Sequence, residues 1–399
     1  MTEEIYNDYR PYNDNEVPAA VQRIAQDALF PEIAKFLFPE VDANSFLENF
    51  KQIKNIDDFQ AKIMYPVIRK VTDLTVKLLS HSGVEQLNNR KKYMFISNHR
   101  DIALDAFFLN MILFENGIKT SEITFGSNLM QPQIVVDIGK INKMFKIIRG
   151  GTAREIFINS LNVSKYMRYT ITQKSESAWI AQRNGRTKDG NDKTEIAVLK
   201  MFAMSSKKPF AENLAELNIT PVAVSYEYEP CDFLKTRELY ISRRQKYEKS
   251  PMEDLNSILH GIKQCKGNTH FTICPTITGE ELESCEKLPR SEQFKALAEI
   301  IDRRIYAGYK LLKTNYIAHD FLHNQSEFSN MYTPEDRKRF IEYMSCGLSI
   351  IDGDKDELQA AFLEIYANPV KNGKAIHFGS TTTRPPSSVV CSSSEFSLD

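Results

Sequence analysis

The sequence predicts an α/β protein with a mostly parallel sheet flanked by helices, and with helical extensions at its N-terminal and C-terminal sides. Short apolar runs have the length of buried strands and occupy 93–97, 122–126, 145–148, 178–181, 219–226 and 269–277. Helical patterns alternate with them over 102–116, 152–168, 194–207 and 252–264. Such alternation is typical of βαβ units, whose strands lie parallel.

Composition divides the 399 residues into four predicted parts. Residues 1–88 are a disordered start of about 20 residues and a helical region over 17–84, and residues 89–285 are the α/β domain. Residues 286–370 are C-terminal helices, with one long pattern at 289–322 and two shorter ones at 334–347 and 354–367. Residues 371–399 are rich in Ser, Thr and Pro, which predicts a disordered tail.

Cysteine usage and hydropathy indicate a cytoplasmic protein with at most peripheral membrane contact. The six Cys form no C-x-x-C pair, which argues against a zinc site or disulfide scaffold and fits a reducing compartment. No apolar run approaches the roughly 18–20 residues that span a bilayer. The first residues are acidic and polar, unlike a signal peptide. We therefore expect no metal and no tightly bound cofactor.

Charge is uneven along the chain although the net charge is only −1. Residues 1–60 hold 12 acids and 5 bases, whereas residues 141–210 hold 14 bases and 5 acids. A basic middle indicates an anionic substrate, an acidic carrier or an anionic membrane, unless it is a solvated lysine-rich face. Nucleic-acid binding is disfavoured, because the cations cluster at strand ends and no recognition motif is present.

One amphipathic stretch, 59–79, has two interpretations. Its apolar positions recur at helical spacing, with four cations between them: Lys62, Arg69, Lys70 and Lys77. It is either an interfacial helix that lies on the inner face of the membrane, or a helix whose apolar side packs on its own domain.

The first block whose residues could take part in a reaction, 97–105, follows an apolar strand. Asn98 is a good helix cap, and His99 would lie at the open end of the sheet beside a helix start, where substrates bind in open α/β folds. The positive end of a helix disfavours imidazolium, so the ring would stay neutral and able to accept a proton. A carboxylate would hold one ring nitrogen as the donor, and Asp105 and Asp101 are the candidates.

The second block, 145–155, has the spacing of a capping box at Thr152 and Glu155, which predicts a helix start at Thr152. Its two glycines, 150 and 151, allow a ligand to approach the backbone. The free N–H groups at the start of the helix can bind an anion, and Arg149 and Arg154 flank that helix start. The alternative is an ordinary strand-to-helix turn with surface arginines.

The third block, 181–192, concentrates Gly, Asn, Asp and cations in a loop after a strand, with Gly185, Arg186 and Lys188 at its centre. It lacks the spacing of a Walker loop. It is either a phosphate-binding loop or a solvent-facing turn.

The order of these blocks resembles the glycerolipid acyltransferases, the family of glycerol-3-phosphate, dihydroxyacetone-phosphate and lysophosphatidate acyltransferases. Four motifs match in the family's order over about residues 90–280: 98–100, 145–149, 185–188 and the Pro-Val strand at 221–227. Two features depart from the family pattern. Five residues rather than four separate His99 from Asp105, which leaves Asp101 as an alternative partner, and the third block lacks the usual acid.

The resemblance implies transfer of a fatty acyl group from an acyl thioester to a hydroxyl of glycerol-3-phosphate or 1-acylglycerol-3-phosphate in phospholipid synthesis. His99 would be the general base, oriented by Asp105 or Asp101. Substrate-binding roles would fall on six positions already described and on Arg100: Asn98, Arg100, Arg149, Arg154, Gly185, Arg186 and Lys188. The donor would be acyl-CoA or acyl-acyl carrier protein. Direct transfer is favoured, since no G-x-S-x-G motif is present.

Two alternatives stay open at the level of sequence. The chain could be a lipid- or phosphate-binding protein of the same fold with weakened catalysis. It could instead acylate a hydroxyl of an amino-acid-containing lipid.

Overall fold

A seven-stranded sheet organises the chain, in the order β1-β7-β6-β2-β5-β3-β4. The structure is a computed structural model that describes residues 6–39, 41–148, 150–250 and 252–379. The strands are β1 (Val76–Ser82), β2 (Met94–Ser97), β3 (Glu122–Gly126), β4 (Met144–Ile147), β5 (Ala178–Ala181), β6 (Ile219–Tyr226) and β7 (Gly267–Ile273). From β6 to β4 all neighbours are parallel, and β7 and β1 run in the opposite direction. The predicted mostly parallel α/β sheet is confirmed.

The described chain also contains seventeen α-helices. In the N-terminal half they are α1 (Val17–Gln26), α2 (Phe30–Leu37), α3 (Ala43–Lys51), α4 (Ile56–Phe59), α5 (Tyr65–Thr75), α6 (Leu104–Glu115), α7 (Gln133–Ile141) and α8 (Ala153–Thr172). In the C-terminal half they are α9 (Ile196–Ala203), α10 (Phe210–Ala215), α11 (Asp232–Ser242), α12 (Glu253–Lys263), α13 (Gly279–Glu286), α14 (Arg290–Gly308), α15 (Lys313–Leu322), α16 (Pro334–Ser349) and α17 (Lys355–Gly379).

Each face of the sheet buries its own hydrophobic core. Successive side chains of a strand point to opposite faces, so Met94 and Ile96 of β2 pack in one core and Phe95 packs in the other. α8, α9 and α14 cover the first face, and α5 and α6 cover the second. Because both faces are covered, the central strands have continuous apolar sequences. Their predicted bounds are therefore close to the observed ones.

The prediction of helix throughout 17–84 is wrong at its end. Residues Val76–Ser82 form β1, which pairs in parallel with β7 from Val76 to Ser82. The sheet therefore draws on residues on both sides of position 88. An edge strand with mixed burial carries no continuous apolar run, so its pattern resembled the preceding helix.

The start of the described chain is also more ordered than predicted. Tyr6 and Tyr9 are buried in the core, and the carbonyl of Tyr9 accepts a hydrogen bond from the amide of Lys146. The segment thus covers part of the outer edge of β4, an edge that would otherwise present unpaired backbone groups.

The 59–79 stretch packs on its own domain. Val67, Ile68 and Val71 are buried against α6 and the sheet, whereas Leu74 is 74% exposed. Lys62 pairs with Asp58, and Arg69 pairs with Asp73. The interfacial-helix interpretation is therefore wrong for its main apolar face.

The C-terminal helices form a separate cluster of buried side chains between α15, α16 and α17. The single pattern predicted over 289–322 is two helices, α14 and α15. Helix α17 continues to Gly379, so the predicted disordered tail is wrong for 371–379, and 380–399 lie outside the described residues. Within the described ranges, no helix has both the length and the apolar character needed to cross a membrane.

Candidate active site

The predicted blocks meet at one edge of the sheet. Strands β2, β4, β5 and β6 all end there, because they are parallel, and β7 begins there. Strand β2 lies between β5 and β6. The preceding strand in the chain, β1, lies on the β6 side of it, and the following strand, β3, lies on the β5 side, so the order of strands reverses direction at β2. Open α/β sheets bind ligands outside the carboxyl ends of their strands at such a point.

His99 and Asp105 form a buried pair at the end of β2. Nδ1 of His99 lies 3.1 Å from Oδ2 of Asp105, and the imidazole is only 7% exposed. Among the described residues, no hydrogen-bond partner occupies Nε2. A carboxylate on Nδ1 fixes that nitrogen as the donor and leaves Nε2 as the acceptor, which is the tautomer that a general base requires.

Asp105 itself is held from several directions. Its Oδ2 also accepts the amides of Arg100 at 2.7 Å and Asp101 at 2.9 Å, and its Oδ1 accepts the Tyr226 hydroxyl at 2.9 Å. These donors fix the position of the carboxylate. Burial and the nearby Asp105 raise the pKa of Tyr226 well above its ordinary value, so the phenol stays a donor.

Asp101 has a different position from the one that an orienting acid would need. Its Oδ1 accepts the amides of Ala103 at 2.9 Å and Leu104 at 2.8 Å, which closes the turn before α6. Its Oδ2 is buried and has no partner in the described chain. The extra residue between His99 and Asp105 is accommodated in this turn, so the geometry favours Asp105 as the partner of His99.

The sequence-based role of Asn98 as a helix cap is wrong, since α6 begins at Leu104 with Ala103 as its cap residue. Asn98 instead pairs with the backbone of Val224, donating to the carbonyl at 2.9 Å and accepting from the amide at 2.8 Å. It joins the ends of β2 and β6, and its amide is not free to bind a substrate.

The guanidinium of Arg100 is likewise engaged by residues of the protein itself. Its guanidinium is 4% exposed and is paired with Asp192 at 2.6 Å and Glu229 at 3.1 Å. Burial opposes its charge, yet the two carboxylates hold the pKa of Arg100 well above its ordinary value. Lys235 donates to Glu229 at 2.5 Å and to the Arg100 carbonyl at 2.7 Å, so the network also fixes the backbone beside His99.

The loop after β5 packs directly on this backbone. The amide of Thr187 donates to the carbonyl of His99 at 2.8 Å, and the Thr187 hydroxyl donates to Asp192 at 2.6 Å. Gly185 has φ +76°, a left-handed conformation that favours glycine and lets the loop turn back. The loop also buries Arg186, whose side chain lies beside the Cys231 thiol.

Arg186 has the features of an anion-binding residue. It is 7% exposed, and its Nη1 is buried without a partner among the described residues. A buried guanidinium nitrogen that lacks an acceptor has a free energy cost that a phosphate oxygen would remove. Lys188 is less available, because it is paired with Glu238, and burial lowers its pKa.

The block after β4 has the predicted capping box. The Thr152 hydroxyl accepts the amide of Glu155, and the Glu155 carboxylate accepts the amide of Thr152 at 2.7 Å. Gly150 and Gly151 both have positive φ. Arg154 is exposed on the first turn of α8, and Arg149 lies outside the described residues.

Helix α12 covers one side of the site, a contact that no local pattern in the sequence predicts. A Cβ on Gly261 would lie 2.3 Å from Oδ2 of Asp101, so the helix backbone packs directly on that carboxylate. Near the other end of the helix, Asp254 accepts the side chain of Asn128, which follows β3. Within the described residues, no group of three or more His, Cys, Asp or Glu side chains is arranged to hold a metal ion.

The fold of this chain is similar to that of a solved structure. The 1-acyl-sn-glycerophosphate (LPA) acyltransferase PlsC from Thermotoga maritima is similar over 73% of this chain and 94% of its own, with 9% identity and a TM-score of 0.38. The likeness concerns the arrangement of the chain alone. No family model and no curated protein matches the sequence.

Proposed function

We propose that this protein is an acyl-thioester-dependent O-acyltransferase that acylates a hydroxyl of a phosphorylated glycerol, with His99 as the general base. The observation that carries the proposal is the buried pair of His99 and Asp105, in which Nδ1 is held at 3.1 Å and Nε2 has no partner within the described part of the chain. The Asp105 carboxylate accepts three other hydrogen bonds besides its contact with the imidazole. A solvated His on the protein surface would not have a partner held in this way.

The reaction follows from the tautomer of His99. Nε2 takes the proton of the acceptor hydroxyl as its oxygen attacks the thioester carbonyl carbon, and the C–S bond of the tetrahedral intermediate then breaks. The thiolate leaves and recovers the proton from the imidazolium. Asp105 stabilises the imidazolium while it exists, and Tyr226 and the turn amides keep Asp105 in position.

Phosphate binding is assigned to Arg186, because its Nη1 is buried without a partner among the residues that the structure describes, and its loop contacts the backbone of His99. A fixed phosphate would hold the hydroxyl close to Nε2, and positioning of this kind supplies a large part of catalysis in two-substrate reactions. Arg149, Arg154 and Lys188 are further candidates. Acyl-CoA or acyl-acyl carrier protein is the proposed donor, and the protein would act in the cytoplasm on the inner face of a membrane.

The second acceptor class, a hydroxyl of an amino-acid-containing lipid, has no such observation in its favour, because the buried Oδ2 of Asp101 is covered by the backbone of Gly261. The phosphorylated glycerol remains the first choice, because a cation-rich loop rather than an acidic one contacts the His99 backbone.

A thiol-release assay tests the proposal. The protein is incubated with acyl-CoA, or with acyl-acyl carrier protein, and with glycerol-3-phosphate, 1-acylglycerol-3-phosphate or a hydroxylated amino-acid lipid. Acceptor-dependent thiol release that His99→Ala lowers by about 10²–10⁴-fold supports it. A folded wild-type protein that binds an acceptor but releases no thiol with any of these pairs would instead be the binding protein of the same fold.

A further inference from the structure

The first two turns of α8 project from the body of the protein. Every residue from 151 to 158 is exposed, and the helix becomes buried only from Val163 onward. Three consecutive large apolar side chains lie on this segment, with Ile156 49% exposed, Phe157 60% exposed and Ile158 43% exposed. We call residues 151–158 the α8 tip.

The directions of these side chains indicate what kind of partner the α8 tip contacts. Consecutive residues of a helix point about 100° apart, so the three side chains cover roughly 200° of its circumference. A single flat protein surface contacts one side of a helix and would leave part of this arc in water. A surrounding apolar medium, such as the boundary of lipid headgroups and acyl chains, contacts all three.

The position of the α8 tip links it to the candidate active site. It follows β4 at the same edge of the sheet as His99, which follows β2. Helix α12 lies at this edge as well, fixed by Asp254 to Asn128 and packed through Gly261 on Asp101. Its outer side exposes a second apolar stripe of Met252 at 55%, Leu255 at 42% and Leu259 at 42%.

Charge around the α8 tip favours an anionic surface. Arg154 is exposed and has no ion-pair partner among the described residues, while Glu155 is engaged with Thr152 in the capping box. Cations beside exposed apolar residues are the pattern of an interfacial membrane anchor.

We propose that the α8 tip inserts Ile156, Phe157 and Ile158 into an anionic lipid bilayer and so turns the carboxyl edge of the sheet, with His99, toward the membrane. This gives the proposed function its partner, and replaces the 59–79 stretch as the membrane contact. Insertion itself does not depend on turnover, so it is measured without substrates.

Vesicle co-sedimentation of the full chain tests the proposal. The probes are vesicles of phosphatidylcholine with and without phosphatidylglycerol. The triple variant Ile156→Gln, Phe157→Gln, Ile158→Gln keeps good helix formers at exposed positions, so its melting temperature should match that of the wild type. Its binding to the anionic vesicles should fall by roughly ten-fold or more, since the inserted apolar area is lost.

The matched control changes three exposed apolar residues outside the α8 tip and α12 to Gln: Leu288, Met331 and Ile350. This control should bind vesicles as the wild type does. Equal losses in both triple variants, or no binding of the wild type to anionic vesicles, would overturn the proposal.

A single tryptophan offers a direct readout of insertion. The chain has one Trp, and Trp179 is 3% exposed, so its emission should be unaffected by lipid. In Phe157→Trp the added indole should shift to shorter wavelength on anionic vesicles and be quenched by brominated acyl chains. An unshifted, unquenched emission from a vesicle-bound protein would place the contact elsewhere. If the wild-type protein inserts normally but releases no thiol, the proposed function is contradicted and the proposal of membrane insertion still holds.

Discussion

Gly261 lies so close to Asp101 that a Cβ at this position would come within 2.3 Å of the carboxylate oxygen Oδ2. The other oxygen of Asp101 is fixed by the amides of Ala103 and Leu104, so the side chain cannot turn away without losing both hydrogen bonds. One glycine thus sets the distance between α12 and the turn that follows His99.

Gly261→Ala should therefore destabilise the protein and reduce turnover, although alanine is the better helix former. The gain in helix propensity is about 1 kcal/mol, whereas overpacking costs about 1–3 kcal/mol and displaces the turn. Thermal unfolding and the thiol-release rate measure both effects. Gly279→Ala is the control, because a Cβ there meets nothing within 4 Å. Equal behaviour of the two variants would contradict this role for Gly261.

Asp105→Asn should reduce kcat more than Asp101→Asn. The Asp105 carboxylate contacts Nδ1 of His99 at 3.1 Å, and an amide there would neither offset the imidazolium nor hold the required tautomer reliably. Steady-state kinetics on both variants, with circular dichroism to check folding, measures the difference. A larger loss of kcat in Asp101→Asn would show that the pair of His99 and Asp105 is not the catalytic one.

Arg186→Ala should raise the KM for the phosphorylated acceptor and change the KM for the acyl thioester little. A charge-assisted hydrogen bond is worth about 1.5–3 kcal/mol, so the acceptor should bind roughly 10- to 150-fold more weakly. Arg186→Lys should recover only part of this, because it keeps the charge and loses the planar fork. Lys193→Ala, an exposed cation of the same loop, is the control. A defect confined to the thioester would reassign Arg186 to the donor.

Two residues of α5 test whether this helix belongs to the core. Val71 is 8% exposed and Leu74 is 74% exposed. Val71→Ala should lower the free energy of unfolding by about 1–3 kcal/mol, whereas Leu74→Ala should change it by less than about 0.5 kcal/mol. Urea unfolding of both variants measures the contrast. If neither change matters, α5 does not pack as the structure has it.

Asp302 should make the protein less stable as the pH rises. Burial raises its pKa to about 6, against the hydrogen bonds of Thr194, whereas the ordinary value is 3.8. Between these values the folded state binds more protons than the unfolded state, so stability falls with rising pH.

Asp302→Asn removes this titration and still offers a carbonyl oxygen to Thr194, which donates at 2.6 Å and 2.9 Å. The free energy of unfolding of the variant, relative to that of the wild type, should therefore increase by about 2 kcal/mol between roughly pH 4 and pH 7. Melting temperatures across this range measure the gain. A constant difference between the two proteins would show that Asp302 does not titrate as stated.

The sequence by itself determined the central α/β sheet. Strands β2 to β6 are covered on both faces, so each reads as an apolar run, and the runs lay within a residue or two of the observed bounds. The capping box of α8 was also readable, because Thr152 and Glu155 are three residues apart and act locally. Strand β1 was not readable, since its partner β7 is distant in sequence and one side of it is exposed.

Only the tertiary structure decided which polar residues act together. Asn98, Arg100 and Arg186 looked alike as candidates, yet Asn98 is bound by Val224, and Arg100 is paired with Asp192 and Glu229 and lacks a partner only at its Nε. Among the described residues, no carboxylate pairs with Arg186, whose Nη1 is buried without a partner. The partners of Asn98 and Arg100 lie about a hundred residues away along the chain, so local spacing carries no trace of them. The choice between Asp101 and Asp105 depended in the same way on the backbone of one turn, because hydrogen-bond geometry, and not residue type, determines which carboxylate reaches His99.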